Sequence, residues 1–175
     1  MNLEVLKYPI GRFQVPETVA TDIVKQAIQH IEHFPKELQM AASHLPEDML
    51  DRKYRPAGWT IRQLVHHLAD SHMNAFIRFK LALTEENPVI KPYQENLWAD
   101  LADSKLGIER SVQIVAGIHE KWVCLMQNMS QEQWKRSFFH PEQSKFIPLN
   151  VSALLYEWHG KHHLAHINQA KKIED

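Results

Sequence analysis

The chain has 175 residues, with 20 basic and 21 acidic side chains, a formal net charge of −1 and 44% hydrophobic residues. A chain of this length most simply forms one domain, residues 1–175, and buries enough surface to fold without disulfide bonds. Because the charge is balanced and shows no basic stripe, a nucleic-acid partner is not expected. No apolar run is long enough to cross a bilayer, so a membrane protein is not expected either.

The N-terminus lacks the pattern of a secretory signal peptide, and the single cysteine, Cys124, cannot form an internal disulfide bond. Both features are typical of proteins in a reducing compartment, and we expect a cytoplasmic protein. Cys124 falls inside a predicted helix without a residue that would activate its thiol. We therefore interpret it as a packing residue.

The first 20 residues show no helical period and are expected to wrap the outside of the molecule. Beyond them, apolar residues recur every 3.6 positions in four long segments, which predicts four long helices. These helices run from about residue 21 to 45, 60 to 84, 108 to 129 and 150 to 172. The long connections between them predict an all-α four-helix bundle with one or more crossover connections.

Two pairs of residues have the spacing of a capping box, in which a hydroxyl and an amide side chain satisfy backbone N–H groups at a helix start. Thr60 and Gln63 form the first pair and predict the start of the second helix. Ser130 and Gln133 form the second pair and predict a short turn after the third helix. Residues 136–140 follow this turn and are interpreted as extended.

The last predicted helix carries several histidines opposite its charged residues, where a bundle normally has leucine or isoleucine. Burying an imidazole without partners costs about 1–3 kcal/mol. Metal ligation removes that cost, because each ring gives a lone pair to the ion and its other N–H to an acceptor. A lone inward histidine is more often a hydrogen-bonded core residue, but His159 and His163 lie one turn apart on this face. The pair His162 and His166 has the same spacing nearer the edge of the face and remains an alternative.

The second predicted helix offers a third candidate ligand. Its apolar face is bordered by two polar stripes, and the stripe with Arg62 and His66 is interpreted as ordinary solvated surface. The other stripe contains His67 and is interpreted as the lining of an internal cavity. On this interpretation His67 is the third metal ligand, and Asn74 and Arg78 are candidate substrate contacts. The alternative is that both stripes are solvated.

Other metal and nucleophile motifs are missing from the sequence, including His-Glu-x-x-His, paired cysteines and Gly-x-Ser-x-Gly. Several segments instead resemble the YfiT branch of the DinB/YfiT-like superfamily over nearly the whole chain. The segments that carry this resemblance are 8–11, 58–63, 66–74, 79–81, 91–93 and the run Trp158-His159-x-x-His162-His163-x-x-His166.

The resemblance implies a four-helix bundle, a homodimer and one divalent metal ion per subunit, Zn²⁺ or Ni²⁺, in a three-histidine site. The family pattern falls on His67, His159 and His163, which include the pair favoured by the helical wheel. The implied activity is that of a metal-dependent hydrolase acting on a small molecule, with an activated water as the attacking group. Two alternatives remain, a metal-dependent bacillithiol S-transferase and a non-catalytic metal-binding module. No further catalytic residue is assigned, because no spacing directs Asp70 or Glu157 at the ion.

Overall fold

The computed structural model describes residues 3–172, and residues 1, 2 and 173–175 lie outside this part. Four long helices and one short hairpin account for most of its regular structure. The helices and strands in chain order are α1 (Leu3–Lys7), α2 (Thr21–Ala42), α3 (Glu47–Leu50), α4 (Ile61–Thr84), α5 (Glu95–Trp98), α6 (Glu109–Gln127), α7 (Gln131–Lys135), β1 (Ser137–His140), β2 (Lys145–Pro148) and α8 (Leu149–Ala170).

The long helices pack in an order that differs from their order in the chain. Helices α2 and α4 each pack against both α6 and α8. Successive helices α2 and α4 therefore lie across the bundle from one another, and so do α6 and α8. This arrangement needs connections that cross the end of the bundle, in place of short turns between neighbours. The predicted four-helix bundle with crossover connections is confirmed.

Both predicted capping boxes form. At the start of α4, the Gln63 backbone N–H donates to Thr60 Oγ1 at 3.1 Å, and the Thr60 N–H donates to Gln63 Oε1 at 3.0 Å. Ser130 and Gln133 make the same reciprocal pair at the start of α7. The segment predicted to be extended forms β1, which pairs antiparallel with β2.

A layer of histidines divides the hydrophobic core into two clusters. On α4, the first cluster ends at Ala69 and the second begins at Ala75, and fully buried His72 lies between them. On α6, buried His119 lies in the same way between Val115 and Trp122. Helix α8 shows the reverse order, with residues of the second cluster before the histidines 159–166 and residues of the first cluster after them. The polar layer therefore crosses the bundle at one level.

The interpretation of Arg62 and His66 as solvated surface is wrong, although Lys80, farther along the same stripe, is exposed. Arg62 is 8% exposed, and its guanidinium donates to Asp51 Oδ1 at 2.9 Å and to the Leu106 carbonyl at 3.2 Å. His66 is also buried, with Nε2 3.1 Å from the Leu106 carbonyl and Nδ1 2.8 Å from Ser111 Oγ. The connection between α4 and α6 folds back over this side of α4, which a helical wheel of α4 alone does not reveal.

Two further expectations need correction. The segment before residue 21 contains the short helix α1, although this helix has no buried residue and lies on the outside as expected. Cys124 is exposed, because the core face of α6 is formed by Trp122, Val123 and Met126 and Cys124 points away from it.

Within residues 3–172, no helix combines the length and apolar character needed to span a bilayer.

Candidate metal centre

Helices α4 and α8 bring His67, His159 and His163 together in the polar layer. One ring nitrogen from each histidine lies within 4.8 Å of the other two. The Nε2 atoms of His67 and His159 lie 3.2 Å apart. The three residues predicted from the sequence therefore converge on one point between the two helices.

The spacing and chemistry of this group fit a divalent ion. Imidazole nitrogens bind Zn²⁺ at about 2.0–2.1 Å, so two of them at a tetrahedral angle lie about 3.4 Å apart. The 3.2 Å separation of the His67 and His159 nitrogens is close to this value. A set of three imidazoles suits zinc, nickel, copper or iron, and does not suit magnesium or calcium, which take oxygen ligands.

The three rings are neutral at pH 7, so each has a lone pair available to bind a metal ion. Burial lowers the pKa of His67 to about 4. Burial, followed by the crowding of neighbouring imidazoles, lowers the pKa of His159 and of His163 well below the usual range. Since a metal ion binds only the unprotonated ring, this environment favours binding over protonation at physiological pH.

The rival set, His162, His163 and His166, also has nitrogens within 4.8 Å of one another. One nitrogen of His166 is engaged elsewhere, whereas His162 Nδ1 is buried and makes no hydrogen bond within the described residues. His166 Nε2 donates to the Lys7 carbonyl at 3.1 Å, and the His162 ring stacks on Trp158 with centroids 4.4 Å apart. We therefore favour the set that contains His67.

A cavity of about 220 Å³ opens beside His159. It is enclosed by α4, by the connection that precedes α5, by the β1–β2 hairpin and by α8. A larger groove of about 500 Å³ along α2 contains no histidine and lies away from the polar layer. The cavity beside His159 is lined by Ser71, Arg78, Tyr93, Glu95, His140, Glu142, Ser152, Tyr156 and His159, among others.

Several polar atoms in this cavity lack strong partners within the described residues. Tyr93 Oη faces Ser71 without a well-formed hydrogen bond, and burial raises the pKa of Tyr93, so its phenol keeps its proton. His140 Nδ1 is buried and makes no hydrogen bond. Arg78 reaches only the Tyr156 hydroxyl, at 3.5 Å. The cavity therefore presents hydrogen-bonding groups that are available to a ligand.

The other predicted contacts are placed differently. Asn74 does not line this cavity, and its Nδ2 donates to the Asp70 carbonyl one turn back on α4 at 2.9 Å. Glu157 faces outward, where its carboxylate meets His30 at 2.9 Å and Lys161 at 2.5 Å. Asp70 does not line the cavity either; burial, followed by the charge of Asp103, raises its pKa to about 6. Arg78 is thus the predicted substrate contact that the structure brings to the cavity.

Comparison with known proteins gives the family. The model of the DinB superfamily matches residues 30–167. The chain belongs to the DinB superfamily.

Relatives within the DinB superfamily cover nearly all of the chain. A protein of Oceanobacillus iheyensis is 47% identical over 169 residues, 97% of this chain and 98% of its own length. A protein of Bacillus cereus is 47% identical over 167 residues, 95% of this chain and 96% of its own. Both are named, provisionally, as metal-dependent hydrolases.

Two solved structures share the fold. YfiT from Bacillus subtilis is described as a probable metal-dependent hydrolase with an unusual four-helix bundle topology. It superposes with a TM-score of 0.93 at 42% sequence identity, and the match covers 96% of this chain and 97% of YfiT. The resemblance to the YfiT branch is confirmed. A mycothiol-dependent maleylpyruvate isomerase superposes with a TM-score of 0.66 at 14% identity, covering 82% of this chain and 60% of the isomerase. This second likeness shows the fold alone.

Two buried histidines of this DinB-superfamily protein were not predicted as part of the site. His72 Nε2 lies 3.2 Å from His159 Nδ1, and His119 Nε2 lies 2.7 Å from His72 Nδ1. A sequence signal for His119 exists, because it falls four residues after Val115 and three before Trp122, on the apolar face of its helix. No sequence signal shows that α4 and α6 bring these two rings together.

Proposed function

We propose that this protein is a hydrolase that uses one divalent ion, Zn²⁺ or Ni²⁺, held by His67, His159 and His163. The observation that carries the proposal is that three neutral imidazoles converge and that one of them, His159, lines a cavity large enough for a small substrate. When bound, the ion supplies Lewis acidity and acidifies a coordinated water toward a pKa of about 7. The names of the relatives support the same class of activity.

The protein's own groups would bind and orient the substrate. Arg78 offers charged N–H donors, and the Tyr93 phenol offers an uncommitted O–H, so both suit acceptor oxygens on a substrate. Glu95 and Glu142 also line the cavity and are exposed at its rim. A donor-rich wall with acids at the rim favours a small polar substrate over a purely apolar one.

The test compares metal-free protein with protein reloaded with Zn²⁺, Ni²⁺ or Co²⁺, on panels of esters, amides and lactones, each with and without bacillithiol. Hydrolysis that requires the metal and is lost in His159→Ala supports the proposal. Conjugation that requires bacillithiol would assign the protein to the thiol S-transferases, with the thiol supplied by the substrate, since Cys124 does not line the cavity. Metal binding without turnover on any panel would leave a non-catalytic metal-binding module.

We also propose, from the resemblance to the YfiT branch, that the protein acts as a homodimer in the cytoplasm. Sedimentation equilibrium at micromolar concentration would give twice the 20.5 kDa chain mass for a dimer. A mass of one chain would contradict the dimer.

A further inference from the structure

The fully buried histidines His72 and His119 are outside the proposed ligand set, yet they lie in the same polar layer. Their side chains are 0% and 1% exposed, and apolar residues lie above and below them. Buried imidazoles are costly unless both ring nitrogens have partners. In both residues each nitrogen does have a partner. These contacts form one continuous chain of hydrogen bonds, the histidine file, which runs from the Ile31 carbonyl through His119 and His72 to His159.

The file begins at a backbone carbonyl. The His119 Nδ1 atom lies 2.6 Å from the Ile31 carbonyl oxygen. Since a carbonyl only accepts hydrogen bonds, Nδ1 of His119 must carry the hydrogen. Burial lowers the pKa of His119 to about 4, so the ring is neutral and its Nε2 has a lone pair.

The same reasoning gives the tautomers of His72 and His159. The His119 Nε2 lone pair must accept from His72 Nδ1–H, at 2.7 Å. The neutral His72 ring then has a lone pair at Nε2, which accepts from His159 Nδ1–H at 3.2 Å. This leaves Nε2 of His159 without a hydrogen, and that atom is the one that faces His67.

The geometry of the rings agrees with in-plane hydrogen bonding. The His72 and His119 planes differ by only 10°, and their centroids are 4.9 Å apart although the facing nitrogens are only 2.7 Å apart. The rings therefore lie edge to edge, as an N–H···N bond along the ring plane requires. Phe34 packs against both, with centroids 5.3 Å from His72 and 5.4 Å from His119, and holds their orientation.

The sequence provides the carbonyl that starts the file. Pro35 lies inside α2, four residues after Ile31. Proline has no backbone N–H, so it cannot donate the intrahelical hydrogen bond that the Ile31 carbonyl would otherwise receive. That carbonyl is left free to accept from His119 on the neighbouring helix.

A shorter file stands behind His163. Nε2 of His166 donates to the carbonyl of Lys7, the last residue of α1, where helix carbonyls lack intrahelical partners. Its Nδ1 therefore has a lone pair and faces His163 Nδ1 at 3.5 Å, a long hydrogen bond. In this arrangement His163 also carries its hydrogen on Nδ1, and its Nε2 is unprotonated.

We propose that His72 and His119 are positioning residues that fix His159 in its Nδ1–H tautomer, with the Nε2 lone pair directed at the metal before any ion arrives. The proposal rests on the proposed metal centre, although the tautomers can be read without any ion or substrate. Histidine ligands commonly donate their second N–H to a carboxylate, a carbonyl or water. Here the acceptor is a neutral imidazole, so no negative charge is added behind the ligand and an ion keeps its full 2+ charge.

The first experiment measures tautomers in the metal-free protein at pH 7.5, from long-range ¹H–¹⁵N correlation spectra of ¹⁵N-labelled protein. The expected result is hydrogen on Nδ1 of His119, His72 and His159. His67 is the internal comparison, because in the metal-free protein its Nε2–H can donate to His159 and must lose that hydrogen when Zn²⁺ is added. A hydrogen on Nε2 of His159 in the metal-free protein would overturn the proposal.

The second experiment uses His119→Gln and His119→Leu, with the exposed His33→Gln as control. The glutamine amide offers an acceptor to His72, whereas leucine fills the space without one. Zn²⁺ affinity, measured by competition with a chelator, is expected to fall about 10–100-fold in His119→Leu, as for other groups behind a metal ligand. The two glutamine variants are expected to remain within a few-fold of wild type.

A structural role alone predicts a different pattern, in which affinity follows folding stability and not the presence of an acceptor. Equal Zn²⁺ affinity in His119→Leu and His119→Gln would therefore overturn the proposal. If His119→Leu does not fold, Pro35→Ala replaces it, because the alanine N–H competes with His119 for the Ile31 carbonyl. The ¹H and ¹⁵N resonances of His119 Nδ1–H are then expected to shift, and unchanged resonances would count against the file. A lack of hydrolase activity would leave all these readouts unaffected.

Discussion

Acidification should destabilise the metal-free protein, and His119 gives the size of the effect. Its pKa is about 4 in the folded protein, because burial lowers it, against about 6.5 in an unfolded chain. The unfolded state therefore takes up the proton first, so stability is fully present above pH 6.5 and is lost as the pH falls toward 4. Between pH 7.0 and 5.5, this one residue removes about 1 kcal/mol from the free energy of unfolding.

The assay is urea unfolding of chelator-treated protein at pH 7.0 and 5.5, followed by far-ultraviolet circular dichroism. Wild type should lose about 1 kcal/mol more than His119→Gln over this interval, since the variant lacks the proton-linked group. The matched control substitution is His44→Gln, at an exposed histidine. An equal loss in wild type and His119→Gln would refute the assignment of His119 as a buried neutral ring.

Three substitutions around the centre have separate expected outcomes. His159→Ala should reduce the metal content of purified protein sharply, and unchanged stoichiometry by elemental analysis would argue against the ligand set. His66→Ala should leave metal content near wild type but lower the free energy of unfolding by about 1–3 kcal/mol, because Ser111 and the Leu106 carbonyl lose a buried partner. Gly160→Ala places a Cβ 2.9 Å from the Phe34 ring. This crowding should lower the free energy of unfolding by about 1–3 kcal/mol, even though alanine has a higher helix propensity than glycine. A higher melting temperature in the variant would contradict this prediction.

Local patterns in the sequence predict much of the fold. The helical period gives the four long helices, and the reciprocal hydroxyl and amide pairs give the starts of α4 and α7 within a residue. The same local information places His159 and His163 on one face of α8. Each of these features depends on residues within a few positions of one another in the chain.

Tertiary packing decides the features that the sequence does not reveal. Arg62 and His66 are buried because a distant connection folds over them, and the polar pattern of α4 looks the same with or without that cover. The contact between His72 and His119 depends on α4 lying beside α6. Proline 35 is visible in the sequence, but its effect on the Ile31 carbonyl matters only once His119 is known to lie opposite.

Pro35 has a consequence for engineering this protein. A proline in a helix interior is an obvious target for thermostabilisation, because replacing it by alanine restores a helical residue of higher propensity. Selection for heat resistance alone would accept that change readily. The resulting variants should survive higher temperatures while losing metal to chelators more easily, so the melting temperature would be a misleading guide to how well they retain their centre.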